Sequence, residues 1–62
     1  MRIKELREAA NMTQAQLAAC MGTKQNAVSQ WESEVALPRV RQLPQLAQIF
    51  NCKIDELFVP SQ

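Results

Sequence analysis

The stretch Thr13-Gln14-Ala15-Gln16-Leu17-Ala18-Ala19-Cys20-Met21-Gly22-Thr23-Lys24-Gln25-Asn26-Ala27-Val28-Ser29-Gln30-Trp31-Glu32 decides how this chain folds. Thr13 and Gln16 stand three apart, the spacing of a capping box in which each side chain satisfies the other residue's backbone N–H. Met12 before the cap and Leu17 four residues after it form the matching hydrophobic staple. A helix is therefore expected from Gln14 to about Met21, with Leu17, Ala18 and Met21 buried. Gly22, the only glycine in the chain, follows at once. Only glycine takes a left-handed backbone without steric cost, so it stops the helix and turns the chain sharply. Thr23 is then expected to cap a further helix from Lys24 to about Ser33.

Two helices joined by a few residues around a glycine make a helix-turn-helix, here spanning about residues 13–32. On its N-terminal side a first helix is expected from about Arg2 to Ala10. Ile3, Leu6 and Ala10 share its inner face, Lys4, Glu5 and Glu8 face water, and Asn11 ends it. On the C-terminal side, Glu34 to Arg39 contains Pro38 and reads as a loop. A fourth helix is expected from Val40 to Phe50, beginning effectively nearer Leu43 because Pro44 suits a first turn. Its inner stripe is Val40, Leu43, Leu46, Ala47 and Phe50, and Asn51 closes it. A last helical turn spans Ile54 to Phe58, with Asp55 and Glu56 where a helix dipole favours negative charge. The expectation is one all-α, compact five-helix domain over residues 1–62.

Composition agrees with that outline and narrows the chemistry. Sixty-two residues, 47% hydrophobic and 21% charged, are too apolar for a disordered tail and too few for a deep catalytic cleft. Seven Lys+Arg against six Asp+Glu leave a net charge of +1, so any nucleic-acid binding must come from local geometry rather than a polycationic field. With no histidine, and with Cys20 and Cys52 far apart in sequence, a metal site is not expected. Both cysteines are expected as reduced thiols packed as small hydrophobes in a cytoplasmic protein. No signal peptide is expected, no apolar run is long enough for a membrane span, and neither catalysis nor a cofactor is expected.

The informative surface is on the third helix. With Gln25 placed at zero and about 100° per residue, Ser29 falls near 40°, Asn26 near 100° and Gln30 near 140°. Ala27, Trp31 and Val28 fall near 200°, 240° and 300°, on the opposite side. Solvated helix faces usually carry Glu and Lys, whereas this one carries amides and a hydroxyl with no charge among them. An amide offers a donor and an acceptor together, as the N6 and N7 of adenine require. A helix also fits the major groove, roughly 12 Å wide. Trp31 is expected in the core, not as a stacking platform.

Taken together, Met12-Thr13-Gln14-Ala15-Gln16-Leu17-Ala18, Gly22, Val28-Ser29-Gln30-Trp31-Glu32 and Ile54-Asp55-Glu56-Leu57-Phe58 resemble the lambda-repressor-like, Cro-type helix-turn-helix DNA-binding proteins, the XRE-like regulators. The resemblance implies that Gln25, Asn26, Ser29 and Gln30 reach base edges and that Gln14 bonds a DNA phosphate beside the free N–H groups of its helix end. Lys24 would touch a base or a phosphate, and Arg39 and Arg41 would contact the backbone or the minor groove. It also implies a small residue, Ala18, where the second and third helices cross, and a structural salt bridge between Arg7 and Glu32. Three positions depart from the pattern. Ser33-Glu34 stands where many members carry Asn-Gly, Lys53 where a Ser or Thr caps the last turn, and Thr23 where an apolar residue is commoner.

The expected function is therefore sequence-specific binding of double-stranded DNA by a transcriptional regulator, of phage, prophage or plasmid repressor type, without a small-molecule effector domain. One such module buries too little for strong specificity, so a homodimer on a near-palindromic operator is expected, with half-sites about 34 Å apart. Phe58, Val59 and Pro60, with exposed parts of helices four and five, are the candidate dimer patch. The alternative is an antitoxin-like or regulatory protein-interaction module on the same helical scaffold.

Overall fold

Residues 1–58 are described by the computed structural model. Their regular structure consists of four α-helices, α1 (Ile3–Ala9), α2 (Gln14–Met21), α3 (Gln25–Glu32) and α4 (Leu43–Ile49), with 3-10 turns at Val40–Gln42 and Ile54–Leu57. The architecture is all-helical, with no strand among the described residues. The expected fifth helical element is the 3-10 turn Ile54–Leu57, which is too short to close α-type bonds of its own.

Of the four α-helices, α2 alone starts on a side-chain cap. At α2 the Thr13 hydroxyl accepts the Gln16 N–H at 3.0 Å, and the Gln16 carbonyl oxygen accepts the Thr13 N–H at 2.8 Å. The cap of α3 is Lys24, not Thr23 as expected, and no side chain caps it. Lysine has no acceptor to offer, and Thr23 lies one residue too early to serve. The same holds at Lys53, where only the reciprocal half of a capping box exists: Glu56 accepts the Lys53 N–H at 2.7 Å.

All four α-helices end in one device. A left-handed residue stands at the C-cap or just after it, and its own N–H and the next one fold back onto the last turn. Those residues are Asn11 (φ 57°), Gly22 (φ 68°), Glu34 (φ 62°) and Asn51 (φ 54°). The closing bonds run from Met12 N–H to Arg7 O, Thr23 N–H to Ala18 O, Val35 N–H to Gln30 O, and Cys52 N–H to Ala47 O, at 2.9–3.1 Å. Asparagine and glycine are ordinary occupants of this conformation; glutamate is not.

The core comprises Ile3, Leu17, Ala18, Met21, Val28, Trp31, Leu46, Ala47 and Leu57. Leu6, Met12, Ala27, Leu43, Phe50 and Cys52 pack half-buried around it. Ala18, only 3% exposed, lies where α2 and α3 pack on each other. Three expected core positions face solvent instead. Ala10 is exposed because α1 ends at Ala9 and the chain leaves the helical register there. Val40 is 83% exposed because residues 40–42 form a 3-10 turn, which shifts them out of phase with the α4 stripe. Cys20 is exposed on the outer side of α2, beside Ala19, while Cys52 is half-buried, and both thiols are free. Burial pushes the Cys52 thiol up from its ordinary pKa, reinforced by the Glu56 carboxylate and opposed by Arg2.

The two ends of the described chain meet. Arg2 N–H donates to the Leu57 carbonyl at 2.8 Å, and its guanidinium donates to the Glu56 carbonyl at 2.9 Å. This closes α1 over the last turn. Phe58 stays 53% exposed; Val59 and Pro60, also named for the dimer patch, lie outside the described residues.

Candidate nucleic-acid interface

The two faces of α3 separate as its sequence requires. Val28 and Trp31 are buried and Ala27 packs against the core, while Gln25, Asn26 and Gln30 are exposed and Ser29 is half-buried. The amide groups thus stand on a helix whose underside is locked by an aromatic and an aliphatic anchor. Eight residues at about 1.5 Å each give a ridge of about 12 Å, close to the width of a major groove.

Charge around this ridge is local. Lys24 is exposed at its N-terminal mouth, and Arg39 and Arg41 are exposed on the segment before α4. None of the three makes an ion pair among the described residues. Gln42 accepts the Arg39 N–H at 2.8 Å and so fixes the backbone that carries both arginines. Glu34 is exposed near the other end of α3, with its carboxylate 3.6 Å from the Met1 amino group. The Ser29 carbonyl accepts both the Ser33 N–H at 3.0 Å and the Ser33 hydroxyl at 2.9 Å.

Beneath the ridge lies a polar link that sequence spacing does not show. Arg7 Nε donates to Glu32 Oε2 at 2.6 Å and Arg7 Nη2 to Glu32 Oε1 at 3.3 Å. Arg7 Nη1 donates to the Met12 carbonyl at 2.7 Å. Gln14 Nε2 donates to Glu32 Oε1 at 3.0 Å, and Gln25 Nε2 donates to Gln14 Oε1 at 3.4 Å. A single chain of hydrogen bonds therefore runs from α1 through the C-terminal end of α3 to the N-terminal ends of α2 and α3. Gln14 is half-buried and carries two of these links besides any contact it makes outward. The side chains it joins are 11 to 25 positions apart in sequence; the Arg7–Glu32 part was implied by the family resemblance and by an anion placed where the helix dipole disfavours it, whereas the links through Gln14 and Gln25 had no signal in the sequence.

Electrostatics match the geometry. Burial works against the charged form of Glu32, but hydrogen bonds from Arg7 and Gln14, with the charges of Arg7 and Lys4, outweigh it and hold the carboxyl below its ordinary range. The hydrogen bond to Glu32 raises Arg7 above its ordinary value, against a smaller opposing effect of burial. No His/Cys/Asp/Glu cluster suited to a metal and no pocket occurs among the described residues, and none of their helices is long and apolar enough to cross a membrane.

Residues 3–57 match the helix-turn-helix family. The chain is 36% identical over 56 residues to the HTH-type transcriptional activator BcrR of Enterococcus faecalis, covering 90% of this chain and 28% of that protein. It is 34% identical over 58 residues to an uncharacterized HTH-type transcriptional regulator of Archaeoglobus fulgidus, covering 94% of this chain and 82% of that protein. No solved structure matches it.

Proposed function

The chain belongs to the helix-turn-helix family, and from that premise we propose that it is a sequence-specific double-stranded DNA-binding transcriptional regulator. It inserts α3 in the major groove. The observation that carries this is the uncharged ridge of Gln25, Asn26, Ser29 and Gln30 opposite the buried Val28 and Trp31. In this reading Gln25, Asn26, Ser29 and Gln30 read base edges. Gln14, Lys24, Arg39 and Arg41 position the protein on phosphates. The Arg7–Glu32 pair is structural, and no residue has a catalytic role.

We further propose a cytoplasmic homodimer on a near-palindromic operator, of the repressor type found in phages, prophages and plasmids. A named activator among its relatives makes the sign of regulation a separate measurement. A promoter reporter carrying the selected operator falls on expression of a repressor and rises on expression of an activator.

Selection from a random duplex pool tests the central claim. The protein should enrich a defined sequence, and Gln30→Ala should relax one base position by about 1–3 kcal/mol. A pool that stays unenriched, or unchanged selection by Gln25→Ala and Gln30→Ala together, would remove base reading. One observation favours the second function class, a protein-interaction module: Val35, Leu37 and Val40 are 74%, 70% and 83% exposed on the segment between α3 and α4. Binding to DNA that stays flat between 50 and 200 mM salt would favour that class.

A further inference from the structure

We propose that the segment from Val35 to Arg41 is a docking surface for another protein, which lays across it an amphipathic helix whose apolar stripe is edged by Asp and Glu.

The segment divides its side chains. Ala36 is half-buried and Pro38 is buried, which fastens it to the body of the domain. Val35, Leu37 and Val40 are exposed, three of the five large apolar side chains exposed among the described residues. Apolar exposure gathered in this way marks an interaction site. The backbone is held at both ends: the Gln30 carbonyl accepts the Val35 N–H at 3.0 Å and the Ala36 N–H at 3.3 Å, and Gln42 Oε1 accepts the Arg39 N–H at 2.8 Å. The apolar side chains therefore stand on a fixed frame, which lowers the entropy lost on docking.

Charge selects the partner. Arg39 and Arg41 are exposed among these apolar residues, and neither forms an ion pair among the described residues. Glu34, the nearest carboxylate in sequence, faces the Met1 amino group at 3.6 Å. An apolar stripe covers Leu37 and the two valines, while carboxylates beside it meet the arginines. A second copy fits less well, because pairing the segment with itself across a two-fold axis sets arginines against arginines. The outside of a duplex supplies phosphates for the arginines but little apolar surface for Leu37 and the valines.

The consequence for regulation rests on α3 reading bases and on Arg39 and Arg41 meeting phosphates. A helix lying on Val35 and Leu37 abuts the Gln30 turn of α3 and takes both arginines from the duplex. Partner and operator therefore exclude each other, and the partner releases the protein from DNA.

The test is selection by the full chain from a displayed library of amphipathic peptides of about 20 residues, long enough to hold a helix. The apolar stripe is fixed and the flanking positions are randomised. Enriched peptides should carry Asp or Glu at the flanks. Leu37→Ser and Val40→Ser should each weaken the best selected peptide by about tenfold or more. Arg39→Gln with Arg41→Gln should remove the preference for acidic over lysine flanks. The same peptide should displace the selected operator from wild type in fluorescence anisotropy, and displace it poorly from Leu37→Ser, which binds operator as wild type does.

No enrichment, neutral or basic flanks, or peptide binding indifferent to Leu37→Ser overturns the inference. So does weaker operator binding by Leu37→Ser, which assigns the segment to the duplex, or its conversion of a dimer to a monomer in sedimentation equilibrium, which assigns the segment to a second copy. Circular dichroism reports folding, and if Leu37→Ser does not fold, Val40→Ser carries the test. A wild type that selects no duplex removes the DNA reading and the mutual exclusion, while peptide selection still decides the docking surface.

Discussion

Arg7 Nε lies 2.6 Å from Glu32 Oε2, in a pair whose side chains are 11% and 6% exposed. Through its third nitrogen the same guanidinium holds the Met12 carbonyl at 2.7 Å, so one side chain ties α1, the entry to α2 and the end of α3. An exposed pair contributes roughly 0–1 kcal/mol. Removing one partner of a buried pair costs more, because the other charge stays behind without compensation.

Arg7→Met and Glu32→Gln should each lower unfolding free energy by about 2–4 kcal/mol. The double variant should lose less than the sum, with a coupling above about 1 kcal/mol in urea denaturation. Losses that add would show that the two charges act independently.

Acid stability follows from the depressed Glu32 carboxyl. The unfolded chain takes up this proton near the ordinary value of 4.5, and the folded chain takes it up lower. The contribution is therefore complete above that value and is lost as pH falls through the folded one. Thermal melts between pH 7 and pH 3 should show a steeper acid decline for wild type than for Glu32→Gln; parallel declines would assign acid sensitivity to other groups.

Glu34 occupies the left-handed position that asparagine or glycine fills after the other three helices. Its contact with the Met1 amino group, at 3.6 Å with the carboxylate 75% exposed, offsets little of that strain. Glu34→Gly should stabilise by about 0.5–1 kcal/mol, the backbone relief exceeding the added freedom of the unfolded chain. That corresponds to a Tm rise of a few degrees. A lower Tm would mean that the carboxylate has a larger structural role.

At Gly22 the requirement is backbone geometry alone. φ is 68°, and a Cβ added there would meet nothing within 4 Å. Gly22→Ala should cost about 1–2 kcal/mol from the left-handed backbone, and Gly22→Asn less. A larger loss for Gly22→Asn than for Gly22→Ala would point to side-chain size instead.

Arg41 is exposed on the 3-10 turn before α4. If it contacts a phosphate, Arg41→Ala should weaken binding evenly across operator variants and reduce the salt slope by about one. A change confined to one base position would place Arg41 in a groove.

Short-range chemistry explains why so much of the fold was legible. The Thr13–Gln16 box, the Met12–Leu17 staple, the stops at Asn11, Gly22 and Asn51, and the opposed faces of α3 all act within one or two helical turns. The misses are equally local. Thr23 was expected at a cap position that Lys24 holds, Val40 was extrapolated along an α-helical stripe across a 3-10 turn, and Cys20 was assumed to pack inward. The first two depended on where a helix starts and how far its period extends, which neighbouring elements shift by a residue at no great cost; the third followed residue type alone, although Cys20 lies off the Leu17, Ala18 and Met21 stripe of α2.

Periodicity and capping in the chain thus specify which side of α3 meets solvent and which meets the core. They do not specify how Gln14, Gln25 and Glu32 are joined. That depends on the packing of α1 and α2 against α3, which brings side chains distant in sequence within hydrogen-bond range. An amide has no preferred polarity of its own; it takes one only when a neighbour that can solely accept, here a carboxylate, is placed beside it.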